Sequence, residues 1–136
     1  MALKKRFEDL KRAFYRLKEA YTKAKIEDEY YIFFRDATIQ RFEFTVEILW
    51  KTLKNFLREI EGVECKSPKG CIKDFFSSGY LTEEETRILL EMIDDRNLTS
   101  HTYHEEVAEK IFKDLKLYLP IIEKIVNILE QRLCQI

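Results

Sequence analysis

Apolar residues return every three or four positions along most of this chain, and little interrupts them. Leu3, Phe7, Leu10, Phe14, Leu17, Tyr21 and Ala24 step by four and three without a break. Such a row lies on one face of an α-helix, and its period of about 3.5 suits a helix lying along its neighbours in a bundle. Ile39, Phe42, Val46, Leu49, Leu53, Phe56 and Ile60 repeat the spacing, and so do Val107, Ile111, Leu115, Tyr118, Ile122, Ile125 and Leu129. The 136 residues include only 3 Gly and 2 Pro, too few for the turns of a sheet protein. At 46% hydrophobic residues there is enough apolar surface for a core. The expectation is an all-α chain forming a single domain over residues 1–136.

Local signals place the helix ends. A first helix is expected over 3–25 and a long second one over 28–61, ended by Gly62. Residues 62–70 read as a connection, with Ser67 capping a short helix that has Pro68 in its first turn and runs to about Ser78. Thr82 followed by Glu85 is a capping box opening a helix that runs to about Asn97. The last helix is expected over 103–133, kinked rather than ended at Pro120, because the apolar row resumes in phase. The second helix is apolar on more than one face. Phe44, Ile48 and Trp50 lie off its row, and Tyr30, Tyr31, Phe33 and Phe34 crowd its start. It either serves the bundle on one side and an oligomer or partner interface on the other, or is wrapped entirely by its own bundle.

Several function classes are set aside. No stretch of about 18 uncharged apolar residues occurs, so no membrane span is expected, and the N-terminus lacks a secretory apolar core. No Gly-rich phosphate loop or dinucleotide fingerprint is present, so no cofactor is expected. Cys65, Cys71 and Cys134 show no metal-ligand spacing, so no metal is expected. Their odd number reads as free thiols in a reducing cytoplasm. Net charge is −1, but it is unevenly distributed. Residues 1–25 carry nine Lys/Arg against three Asp/Glu, whereas 81–109 carry two against nine. These are either solvated helix faces or a basic surface for phosphates beside an acidic surface for a protein.

Both histidines fall in "RNLTSHTYHEE", residues 96–106. Thr102 and Glu105 form a second capping box, so Arg96, His101 and Tyr103 can gather around one helix N-terminus. Free N–H groups and the helix dipole there favour anions, phosphate included. The dipole also disfavours imidazolium, leaving His101 able to accept a proton. Arg96 offers a planar fork to phosphate oxygens. These parts suffice for metal-independent RNA cleavage, with His101 moving the proton and Arg96 stabilising charge at phosphorus. Efficient cleavage wants an acid and a base, and a two-fold dimer would pair two such motifs. His104 reads as solvated or as a phosphate contact. On spacing alone, the same residues also read as surface and capping groups.

The segment "RNLTSHTY" resembles the Arg–x4–His–x–Tyr motif of HEPN proteins, specifically the HepT-type toxin partners of minimal nucleotidyltransferases. Residues 35–57, "RDATIQRFEFTVEILWKTLKNFL", resemble the long helix of nucleotidyltransferase substrate-binding proteins, and "SPKGCIKDFF" and "LLEMIDDRNLTSHTYHEEVAEKI" follow in the same order. The resemblance implies an up-and-down bundle of four or five helices forming a two-fold homodimer. It implies a separate minimal nucleotidyltransferase as partner and antitoxin. Arg96 and His101 would be the ribonuclease residues, acting on tRNA or another RNA. Asn97 matches the polar residue that often follows the arginine. Tyr103 would receive AMP from the partner, silencing the nuclease. The competing reading is a non-catalytic subunit that presents substrate to the nucleotidyltransferase.

Overall fold

The computed structural model describes residues 2–99 and 104–134. Those residues are almost entirely helical, as the apolar rows require. The helices are α1 (Ala2–Lys23), α2 (Tyr31–Phe56), α3 (Pro68–Ser77), α4 (Glu83–Leu98) and α5 (Glu105–Cys134). Side-chain pairs give their directions. Lys11 reaches Glu130 and Lys18 reaches Glu123, so α1 and α5 run antiparallel. Thr45 bonds the Ala13 carbonyl and Arg41 the Arg16 carbonyl, so α1 and α2 do too. Asp95 meets Lys110 and Glu85 meets Lys124, which makes α4 antiparallel to α5. The result is an up-and-down bundle of four long helices, with the short α3 packed near one end.

The apolar rows form its interior. Leu3, Phe7, Leu10, Phe14 and Leu17 are buried from α1, and Ile39, Phe42, Val46, Leu49, Leu53 and Phe56 from α2. Phe42 stacks on Tyr118 of α5 with ring centroids 6.0 Å apart. Burying such side chains contributes about 1.5–3 kcal/mol each before entropy is set against it.

Capping follows the local chemistry. The Ser67 hydroxyl accepts the Gly70 N–H with Pro68 in the first turn. Thr82 and Glu85 form the full reciprocal capping box. Gly62 takes the left-handed conformation at φ 68°, which side chains with a Cβ disfavour.

Four expectations need correction or refinement. First, α1 ends at Lys23 and α2 begins at Tyr31, because the Asp28 carboxylate accepts the Tyr30 N–H at 2.9 Å and holds a turn between them. Second, Leu57–Glu61 continues the long helix as a π-helical turn. Third, Cys65 and Cys71 are joined in a buried disulfide, not free thiols, with their Cα atoms 5.0 Å apart. The connection folds back so that α3 brings the two together, which sequence separation alone does not reveal. Cys134 is free and exposed. Fourth, the second helix is not wrapped entirely. Ile48 and Trp50 are partly covered, but Tyr30, Phe33 and Phe44 remain more than half exposed. Pro120 lies inside α5 without ending it. No helix among the described residues is long and apolar enough to cross a membrane.

Candidate functional site

Arg96 occupies the last turn of α4, and the Thr99 N–H and hydroxyl both donate to its carbonyl. Its guanidinium points toward α2. Nη2 stands 3.5 Å from Glu47 Oε2, a separation too long for a tight charge-assisted hydrogen bond. Nε is buried and has no hydrogen-bond partner among the described residues. Glu47 is more firmly engaged elsewhere, accepting from Trp50 Nε1 at 3.2 Å and pairing with Lys51 at 3.2 Å. Burial by itself would raise the Glu47 carboxyl, but Lys51, Trp50 and the Arg96 charge outweigh it and hold the group below its usual range. A small cavity of about 40 Å³ lies against Arg96, between Trp50, Pro68 and Ile93.

Asn97 lines the same cavity and is exposed. His104 is exposed directly before α5, and its carbonyl accepts the Ala108 N–H at 3.1 Å. The structure therefore brings Arg96 and Asn97 together at the end of α4 and sets His104 at the start of α5. His101, Thr102 and Tyr103 lie outside the described residues. The last helix begins at Glu105 and not at 103, and the Glu105 carboxylate is engaged by Arg35, so Glu105 does not stand at the third position that the expected capping box with Thr102 requires.

Two polar clusters flank the motif, and sequence reasoning missed both. Asp95, the neighbour of Arg96, is buried at 3% exposure. It accepts from the Tyr118 hydroxyl at 2.5 Å and from Lys110 Nζ at 2.8 Å. Burial raises the Asp95 carboxyl, although Lys110 and Tyr118 oppose this. Burial and the bond to Asp95 push the Tyr118 phenol well up, and the same carboxylate raises Lys110. The signal was spacing: Asp95 is three residues after buried Met92 and six after buried Leu89, on the inward face.

The second cluster centres on Arg35, 2% exposed near the start of α2. It bonds Glu105 and Glu109 of α5 at 2.6 Å each, and Asp36 at 3.0 Å. The Tyr31 hydroxyl also donates to Glu109, and burial together with that carboxylate pushes its phenol up to about 12. Arg35 lies four residues before Ile39, on the apolar row itself, so its burial was legible. Together the clusters fasten the end of α4 and the start of α5 to the bundle. Residues 100–103 thus connect two anchored helix ends.

Comparison with known proteins agrees with this architecture. The pattern of the family described as nucleotidyltransferase substrate binding protein like matches residues 5–131. A protein of known structure from Thermus thermophilus is 45% identical, with a TM-score of 0.77 over 87% of this chain and 96% of that one. A variant MntA–HpeT toxin–antitoxin structure contains a chain 15% identical, with a TM-score of 0.75 over 95% of this chain and 97% of that one. A tri-AMPylated Shewanella oneidensis HEPN toxin complexed with its MNT antitoxin gives 16% identity and a TM-score of 0.59 over 89% of this chain and 96% of that one. The likeness to these last two is one of fold. No curated protein matches the sequence significantly. The family match across nearly the whole chain, together with the Thermus relative, shows that the protein belongs to the nucleotidyltransferase substrate-binding-protein-like family.

Proposed function

We propose that this chain is the toxin of a toxin–antitoxin pair, a cytoplasmic, metal-independent endoribonuclease acting on tRNA or another RNA as a single-domain homodimer. The observation that carries the reading is the state of Arg96. A guanidinium that has, among the described residues, a buried Nε without a partner and a single long ion pair can turn toward a phosphate at little cost. It stands five residues before His101, and the fold is shared with toxins crystallised beside nucleotidyltransferase antitoxins.

In the proposed reaction the RNA 2′-oxygen attacks the adjacent phosphorus and the 5′-oxygen leaves. One His101 takes the 2′ proton, and His101 of a second copy protonates the leaving oxygen. Arg96 stabilises the crowded phosphorane, with Asn97 and His104 as phosphate contacts. The ends are a 2′,3′-cyclic phosphate and a 5′-hydroxyl. Silencing joins the Tyr103 phenolic oxygen to the α-phosphorus of ATP on the partner nucleotidyltransferase; pyrophosphate leaves and the phenol proton passes to solvent. The anionic adduct beside His101 would block the cleft and repel RNA phosphate.

The family's description favours a second reading, a non-catalytic subunit presenting substrate to a nucleotidyltransferase. One experiment separates them. Chain without AMP on Tyr103, verified by mass spectrometry, is incubated with total tRNA in EDTA beside Arg96→Ala and His101→Ala, and the ends are mapped. Cleavage by the unsubstituted chain alone, leaving cyclic phosphate, supports the nuclease. No cleavage by folded, dimeric, unmodified chain turns the assignment to the substrate-binding subunit.

A further inference from the structure

The basic helix α1 meets different surroundings on its two sides. Toward α5, Lys11 is paired with Glu130 at 3.1 Å and Lys18 with Glu123 at 3.4 Å, so these charges are largely neutralised. Toward α2, two adjoining cavities of about 430 and 310 Å³ form a groove, sharing Asp9 and Ile48 in their walls. Arg12, Arg16 and Arg41 line the larger cavity, and Lys5 and Arg6 the smaller. Asp9 is the single acid in the lining, and it engages Arg12 at 3.0 Å. Arg41 is held in place by the Arg16 carbonyl at 2.8 Å and also pairs with Glu19 at 3.4 Å. The side chains of Lys5, Arg6 and Arg16 have no partner among the described residues. The groove follows α1 from Ala2 to Arg16, about 20 Å of helix rise.

Phe44 lines the larger cavity and is 57% exposed. It precedes Glu47 by three residues, so the two are neighbours on the surface of α2. Glu47 is the residue that Arg96 faces. Phe44 therefore stands one helical turn of α2 away from the residue that faces Arg96.

A row of cations beside an exposed aromatic ring is the surface that a single-stranded polynucleotide needs. The cations follow the phosphates, and the ring offers a stacking platform to any base. We propose that the α1–α2 groove seats single-stranded RNA on its way to Arg96, with Arg12, Arg16 and Arg41 on phosphates and a base on Phe44. The choice of RNA rests on the ribonuclease reading above.

The test uses the full chain carrying His101→Ala, so that bound RNA is not cut, and a fluorescent oligouridylate read by anisotropy over a salt series. Adding Arg12→Ala and Arg16→Ala together should flatten the log–log salt slope by about 1.4, roughly 0.7 per lost phosphate contact on a single strand. Adding Phe44→Ala should weaken binding about tenfold with the slope unchanged, because stacking releases no counterions. An unaltered slope in the double variant, or no RNA bound by the parent, would overturn the proposal. Separation of the double variant into monomers from a dimeric parent would overturn it too, by making the groove a protein interface. Cleavage by the chain with His101 intact is scored separately. A flattened slope without cleavage keeps the groove and removes the nuclease; cleavage with an unaltered slope does the reverse.

Discussion

The Tyr118 hydroxyl donates to the Asp95 carboxylate at 2.5 Å, joining the middle of α5 to the residue directly before Arg96. Lys110 reaches the other oxygen of the same carboxylate. A buried acid is thus tied to one helix by two donors. Tyr118→Phe removes one of them inside the bundle and should destabilise the fold by about 1–3 kcal/mol. Urea unfolding of the two proteins measures it, and a loss below the error of the extrapolation would mean that Asp95 finds a substitute donor.

The same carboxylate predicts a pH dependence. Burial raises Asp95 above its unfolded value of about 3.9, so the folded chain keeps a proton that the unfolded chain has released. The resulting stabilisation is complete below the unfolded value and is lost as pH rises through the folded one. The stability of the parent minus that of Asp95→Asn should therefore fall with rising pH across the acid range and level off towards neutrality. A difference that climbs with pH would show that Lys110 and Tyr118 outweigh burial.

Glu85 should behave in the opposite sense. Burial by itself would raise its carboxyl, but Lys124 at 2.7 Å and the Thr82 N–H at 2.9 Å hold it below its usual range. Its contribution is present above the unfolded value of about 4.3 and lost as pH falls through the folded one. Glu85→Gln should cost up to about 1 kcal/mol at neutral pH, with the gap closing in acid. Chemical denaturation at a series of pH values checks both parts.

Arg35 should matter to the candidate site without touching it. Arg35→Met removes the cation that Glu105 and Glu109 share. Those carboxylates are half exposed and can be hydrated, so the loss should be about 2 kcal/mol, below the range for stranding a fully buried charge. The start of α5 should fray first. Hydrogen exchange would read this as faster amide exchange across 105–110 with α1 unchanged; uniform acceleration would contradict a local anchor.

Arg96→Ala should separate stability from activity. Its ion pair with Glu47 is long and half-exposed, and among the described residues its Nε makes no hydrogen bond to lose, so the fold should change by no more than about 1 kcal/mol. If Arg96 stabilises the phosphorane, cleavage should drop by about 10²–10³-fold in the same preparation. Parallel melting and tRNA-cleavage assays decide this. A large loss of stability would mark Arg96 as structural instead.

The helices, their inward faces and most of their caps were legible because they depend on residues three or four apart. Leu3 to Leu17, Ser67 and Thr82–Glu85 all act within one or two turns, and Gly62 acts through its own backbone. The same local reading set Arg96 and Asn97 at a helix end, but it began the last helix at 103 with His104 in its first turn, whereas His104 directly precedes a helix that begins at Glu105. It also ran the first two helices too close together, because the Asp28 turn competes with helix continuation through a single short-range bond.

Tertiary structure alone decided which face met which. Asp95 gained Tyr118 and Lys110, and Arg35 gained Glu105 and Glu109, from residues 15 to 74 positions away. Cys65 met Cys71 because the connection folds back under α3. The positive charge of α1 is one number in the sequence, yet in the bundle it divides into Lys11 and Lys18, paired with α5, and Lys5, Arg6, Arg12 and Arg16, lining a groove with α2. Helical periodicity says which residues share a face, while the partner opposite that face depends on how whole helices pack, and a charge takes its character from that partner.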